Sequence, residues 1–317
     1  MKITLKKEMS LILGLICLVL YISIKVLPNP TSSVVTIPKD NMFIYELDND
    51  NLLVPLNIKI DLNLKIEDKL KLMINKMSNF SDSSFHSILN NDTELLKVNI
   101  TEGIANLYFN DKLLEINKEN ELKVLEALSY GCLQFKEINS IRLYVNDKQL
   151  TMFKNGTPIA DKIDKRIGIN NFELSNKYIH DTSNITIYYM KMINNKLYYV
   201  PMSKRINNNL MNLKDIANEI VKSISVSSSL ESNLFIESIS NVKDPVLEEQ
   251  CITLYMNKNI LDVDNTVKKD ALYTLALSIN NAIGVDKLKV MVDNEVVNIH
   301  GSNEDTIVIS NIIFNEY

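Results

Sequence analysis

Apolar residues follow two alternating rhythms along this chain, and the succession of rhythms is written twice. Over residues 42–47 and 51–60 they alternate or form short runs, which predicts two strands around the turn-rich Asp48-Asn49-Asp50. Over 65–78 they move to helical spacing, with Ile66, Leu70, Met73, Ile74 and Met77 on one face. A polar loop, 79–92, leads to strands 95–101 and 104–110, then to a helix over 118–133 behind a capping Asn117. Strand 140–145, an Asn146-Asp147 turn and a return strand 149–153 follow, with a further closing strand over 169–173.

The second pass has the same order. Strands are predicted over 185–191 and 196–204, a helix over 212–224, strands over 234–240 and 250–257, a helix over 264–280 capped by Asp264, and strands over 288–292, 296–299 and 309–313. Leu107-Tyr108-Phe109-Asn110 returns as Leu254-Tyr255-Met256-Asn257, a shift of 147 (254 − 107). The same shift carries Ile141, Leu143 and Val145 onto Leu288, Val290 and Val292, while Val54-Pro55 returns as Val200-Pro201 one residue out of phase. A period of this size is a domain length, too long for a solenoid repeat. The fold class is therefore α+β: two tandem two-layer α/β domains, each large enough for its own core.

The first residues break the pattern. Lys2, Lys6 and Lys7 precede an apolar run that contains Met9, Leu11, Leu15, Leu18 and Ile22, then Lys25 and Pro28. The favoured reading of 1–27 is an uncleaved transmembrane anchor with a cytoplasmic N-terminus, since no small-x-small cleavage site follows the run. A cleaved signal peptide is the rival. Lipidation at Cys17 is a third reading, opposed by Ile16, where a small residue is needed. Residues 28–40, rich in Pro, Ser, Thr and Asn, read as a stalk. The first domain is then 41–173, a linker 174–182 and the second domain 183–317.

Composition narrows the partners. The chain is 46% hydrophobic and 23% charged, with a formal net charge of −5, so the basic footprint of a nucleic-acid binder is missing. Cys132 and Cys251 occupy apolar slots in the two repeats and read as buried free thiols. The seven glycines form no phosphate cradle, no Ser, Cys or Thr sits in a nucleophile elbow, and His86, His180 and His300 have no ligand at metal spacing. No catalytic residue, metal site or cofactor is expected. The sharper candidates lie on an alternating strand: Asn106 and Tyr108, with Thr253 and Tyr255 in the second copy, point away from the core. Strand propensity and cross-strand packing are the plainer account of the repeated tyrosine. The functional account is an interface anchor.

Three ordered pieces carry a family resemblance: the strand with Leu53-Val54-Pro55, echoed by Tyr199-Val200-Pro201; strand 104–110 with the helix after it; and strand 141–145 with its Asn146-Asp147 turn. In order and in duplicate, they make the chain resemble tandem GerMN domains. That resemblance implies a two-layer fold akin to ring-building modules and an extracytoplasmic, membrane-tethered protein. It also implies a part in building or stabilising a sporulation or germination complex of the envelope, by self-association or with other channel proteins, and no catalytic residues. The alternative is a module that binds or senses cell wall or a small ligand, with avidity from its two copies.

Overall fold

The first repeat opens with a hairpin. In the computed structural model, β1 (Asn41–Asp48) pairs antiparallel with β2 (Leu53–Lys59). Asp48 closes the turn, its carboxylate accepting the Asp50 and Leu52 N–H groups at 2.9 and 2.8 Å. The structure describes residues 40–171, 182–207, 212–226, 238–300 and 304–317, all within one compact unit, Ser32–Tyr317. The predicted anchor and its residues Met9, Leu11, Leu15, Leu18 and Ile22 lie outside the described residues, as do His180, the stalk up to residue 39 and most of the linker. Among the described residues no helix is long and apolar enough to cross a membrane.

Helix α1 (Ile66–Ser78) buries Leu70, Met73, Ile74 and Met77, and Glu67 and Asp68 suit the positive end of its dipole. A short strand, β3 (Phe85–His86), adds to β1. Strands β4 (Leu95–Thr101) and β5 (Ile104–Phe109) are antiparallel; α2 (Glu121–Leu133) then crosses over, so β6 (Ser140–Val145) runs parallel to β5, and β7 (Lys148–Gln149) finishes the sheet. The spatial order is β4-β5-β6-β7.

The second repeat has the hairpin β8 (Thr182–Ile193) and β9 (Lys196–Asn207), helix α3 (Leu213–Val226), and strands β10 (Val246–Glu248) and β11 (Cys251–Met256). Helix α4 (Lys269–Ile283) leads to β12 (Lys287–Val292), β13 (Glu295–Val296) and β14 (Thr306–Val308). Its sheet is ordered β10-β11-β12-β13, with β14 also on β12.

Several expectations move. Asn117 does not cap α2: a 3-10 turn over Asp111–Glu115 and a tight turn, Asn120 N–H to Asn117 O, delay the helix to Glu121. Asp264 likewise closes a turn on the Thr266 N–H at 3.1 Å, five residues before α4. Of the strand predicted over 234–240, residues 234–237 are outside the described residues; the strand beside β11 is β10 instead. Residues 309–311 form a 3-10 turn rather than a strand, and 169–171 are irregular. Cys132 is buried, but Cys251 is only half-buried, on the far side of its sheet from the helices.

Hairpin turns are where side-chain chemistry chose the backbone. Asn146-Asp147, Asn194-Asn195 and Asp293-Asn294 hold two successive positive φ angles, the geometry that matches strand twist. Glu249-Gln250, between β10 and β11, holds φ of 46° and 64° with residues ill suited to it. Replacing this pair by Asn-Gly is expected to raise stability by about 1 kcal/mol, read as a higher denaturant midpoint at unchanged slope.

The two repeats interlock through β2 and β9. Each strand carries a proline, Pro55 or Pro201, which has no N–H to give to a ladder, so the strands do not merge into one sheet. Two asparagine side chains take the place of the ladder. The Asn170 carboxamide accepts the Leu53 N–H at 2.8 Å and donates to Leu53 O and Pro201 O at 2.8 and 2.9 Å. The Asn315 carboxamide accepts the Tyr199 N–H at 2.7 Å and donates to Tyr199 O and Pro55 O at 2.8 and 2.7 Å. The repeat shift exchanges Leu53 with Tyr199 and Pro55 with Pro201, so each clamp is the other seen from the opposite repeat. Both asparagines have φ near 50°, a left-handed conformation that Asn tolerates better than other side chains. Around the clamps, Lys191 reaches across to Asp48 and Asp50, at 2.5 Å each. Tyr130 Oη meets Thr186 Oγ1 at 2.9 Å, and the Lys165 ammonium donates to Asn281 O in the last turn of α4.

Candidate functional site on the open sheet faces

The repeated Leu-Tyr-x-Asn string has a structural account for three of its four positions. Leu107 and Leu254 are fully buried, and Phe109 and Met256 nearly so, facing the helices. Asn110 braces the neighbouring strand: its carboxamide accepts the Glu94 N–H at 3.2 Å and donates to Asp92 O at 2.7 Å. Asn257 does the same with the Ser240 N–H and Ser238 O, at 3.3 and 3.1 Å. The tyrosines do neither. Tyr108 and Tyr255 lie half-buried on the face away from the helices.

What surrounds them is duplicated as well. The asparagine brace delivers the neighbouring chain to a bulge in the first repeat and to a bend in the second. Leu95 pairs with Phe109 and Lys97 with Tyr108, which leaves Leu96 as the extra residue, 56% exposed. In the second repeat Asn241 pairs with Met256, and Val242, 59% exposed, donates its N–H to Tyr255 O. The next residue in each copy is a lysine over the tyrosine ring: Lys97 at 5.1 Å from the Tyr108 centroid, Lys243 at 5.4 Å from that of Tyr255. A projecting aliphatic, a lysine and a tyrosine thus stand together in both copies. The lysines and the aliphatics are what sequence reading missed; the signal was Leu96-Lys97 against Val242-Lys243, one shift of 146 (242 − 96) apart.

The other two candidates differ between copies. Asn106 donates to Asn99 O at 3.2 Å and accepts from Tyr144 Oη at 3.4 Å, and the Tyr144 ring stacks on Tyr108 with centroids 4.6 Å apart. Thr253 sits between Val246 and Lys289, and Met291 takes the place of Tyr144 beside Tyr255. The aromatic pair therefore belongs to the first repeat alone. At the rim Asp161 accepts from Arg142 at 3.1 Å and from Gln149, which together hold its carboxyl below the usual range.

Elsewhere, His300 Nδ1 lies 2.8 Å from Asp264 Oδ2 and 3.2 Å from Thr266 Oγ1, a carboxylate neighbour that sequence spacing did not disclose. Among the described residues no group of three or more His, Cys, Asp or Glu is placed to hold a metal ion.

Comparison with known proteins agrees with this architecture. A family model described as "Germane: Sporulation and spore germination" matches residues 44–151. The spore germination protein GerM of Bacillus subtilis (strain 168) is 27% identical over 233 residues, which is 71% of this chain and 63% of that protein. The chain thus matches a little under two thirds of that relative's length. The solved tandem GerMN domains of the sporulation protein GerM from Bacillus subtilis share the fold, with a TM-score of 0.73 at 23% identity over 83% of this chain and 95% of that one. The family model thus covers much of the first repeat, and the fold across both repeats is that of tandem GerMN domains.

Proposed function

We propose that this protein is a membrane-anchored, extracytoplasmic assembly module without catalytic activity, supporting a sporulation or germination complex of the cell envelope. Similarity to GerM supports the sporulation-related part. The assembly part rests on one observation: in both copies the sheet face turned from the helices keeps a tyrosine that packs no core, flanked by an exposed aliphatic residue. Tyrosine is enriched at contact hot spots because its ring offers much area at little entropic cost. Anchoring rests on the basic start and apolar run of 1–27.

Substituting Tyr108 and Tyr255 by Ser is expected to reduce crosslinking of the protein to itself or to envelope partners by tenfold or more, roughly the effect of one hot-spot residue. Thermal unfolding should stay within a few degrees, since neither ring fills a core. Normal assembly by the double variant would remove this face from the interface. A second reading, binding of cell-wall glycan, is favoured by the Tyr108–Tyr144 stack of the first repeat. Failure of the protein to co-sediment with purified wall would sink that reading.

A further inference from the structure

We infer that the two open sheet faces are equivalent docking sites for an acidic protein partner, each taking a segment in which a carboxylate lies beside an aliphatic side chain. The inference rests on the assembly reading and adds the partner's chemistry to it.

The charge distribution carries it. The chain is acidic overall, with a net charge of −5. Its open faces are not. On the first sheet the outward strand positions are Lys97, Asn99 and Thr101 of β4, Ile104, Asn106 and Tyr108 of β5, and Arg142 and Tyr144 of β6, with no carboxylate among them. Asp161 reaches in from a loop and answers Arg142. Lys97 has no carboxylate within ion-pair distance among the described residues. On the second sheet Lys243, Lys287 and Lys289 face outward against one strand carboxylate, Glu248, and Asp305 reaches Lys289 only at 3.7 Å. Lys243 is hydrogen-bonded to Asn294 Oδ1, a neutral partner.

A cation that carries no counter-charge and is held over a tyrosine ring favours a carboxylate from outside. The projecting Leu96 or Val242 beside it sets the rest of the ligand, because an aliphatic group next to the carboxylate would bury both exposed side chains. A polyphosphate or nucleic acid would use the lysines and leave the aliphatics wet. The local backbone adds to the argument: a strand bulge at Leu96 in the first repeat, and a bend after the Asn241 bridge in the second, each leave an apolar side chain exposed beside the lysine. Since the sites are copies of each other, one kind of segment fits both, and a partner that repeats the segment gains avidity.

The test uses the full chain in detergent, a fluorescent random copolymer of glutamate and leucine, and anisotropy at near-physiological salt. Polyglutamate, a lysine–leucine copolymer and inorganic polyphosphate serve as the other arms. The expected result is binding of the glutamate–leucine copolymer about tenfold or more tighter than any other arm. Lys97→Gln with Lys243→Gln, and separately Leu96→Ser with Val242→Ser, should each weaken it tenfold or more at an unchanged melting temperature. No binding of that copolymer, equal binding of polyphosphate or polyglutamate, or indifference to either pair of substitutions would each overturn the inference. The assembly reading is separable: if envelope partners that co-purify with the protein without crosslinking are lost with Tyr108→Ser and Tyr255→Ser but retained with the two lysine substitutions, the face stands and the acidic partner falls.

Discussion

Replacing Asn170 by alanine is expected to cost about 3–5 kcal/mol of unfolding free energy, with Asn315→Ala in the same range. Each substitution strands one buried N–H and two carbonyls, at about 1–3 kcal/mol per unsatisfied group with partial relaxation. Each also puts a Cβ residue without a compensating side chain at φ near 50°, which adds about 1 kcal/mol. Aspartate is the telling control. It keeps the shape and the acceptor for the Leu53 N–H, but it faces Leu53 O and Pro201 O with an oxygen, and its charge would lie beside buried Glu126, whose Oε2 already accepts the Asn170 N–H at 3.0 Å. Asn170→Asp should therefore be at least as damaging as alanine. Denaturant titration of the three variants decides the matter. A cost below about 1 kcal/mol for both alanine variants would mean that the two repeats hold together by apolar packing alone. Because the clamps tie β2 to β9, the losses should appear in one transition that includes both repeats.

Stability is expected to fall as pH rises from about 5 to about 8, and Glu46→Gln and Glu126→Gln should each remove part of that fall. Burial pushes the Glu46 carboxyl up to about 9 and that of Glu126 to about 7, from an ordinary value of 4.5. Glu46 is fully buried; the Ile88 N–H at 3.1 Å serves Oε2, while Oε1 has no partner among the described residues. Lys123 lies near enough to Glu126 to moderate its shift without cancelling it. A carboxyl with a raised folded value holds its proton more tightly in the native state. Its contribution is complete below 4.5 and is lost as pH climbs to the folded value, at about 1.4 kcal/mol per pH unit. For Glu126 that is at most about 3 kcal/mol by pH 7, and more for Glu46 by pH 8.

Glutamine imitates the protonated acid, so each variant should match the wild type near pH 5 and exceed it by about 2 kcal/mol or more near pH 8. Other groups bound the window. Asp161 and Asp264 are held below the usual carboxylate range by their hydrogen bonds, so their contribution is lost only in stronger acid. Burial pushes Lys165 down to about 8, and its linkage adds stability only above that value. Equal stability of the wild type near pH 5 and near pH 8, by urea titration, would contradict the account.

How much of this was legible in the sequence depends on the range of the interaction. The apolar phase of Leu70, Met73, Ile74 and Met77 is a local property of a helix facing a core, and all four are buried in α1. Asn146-Asp147 and Asp293-Asn294 announce their positive φ through side chains that tolerate it. The Val-Pro pairs were visible as a repeat, yet their meaning needed the second strand, since a missing N–H matters only where a partner would have asked for it. Asn117 and Asp264 have the chemistry of helix caps and were spent on turns, because 3-10 segments intervene before α2 and after β11. Asn170 and Asn315 carried no local signal at all. Their partners lie 117 and 31 residues away for the first and 260 and 116 for the second, so only the folded chain brings them together. The outward tyrosines were legible from alternation, but the lysine above each ring was not: a bulge shifts the strand beside Tyr108 by one residue, and Lys243 stands in a bend outside any strand.

The central claim is that the open faces carrying Tyr108 and Tyr255 join this protein to others. The most direct measurement is amine-reactive crosslinking in cells, followed by membrane purification and mass spectrometry of the crosslinked peptides, on the wild type and on the Tyr108→Ser, Tyr255→Ser variant. The account predicts crosslinks from Lys97 or Lys243, to another copy or to other envelope proteins, which the variant loses. Recovery of an uncrosslinked monomer, attachment mainly to wall fragments, or crosslinks that leave from elsewhere and survive in the variant would contradict it.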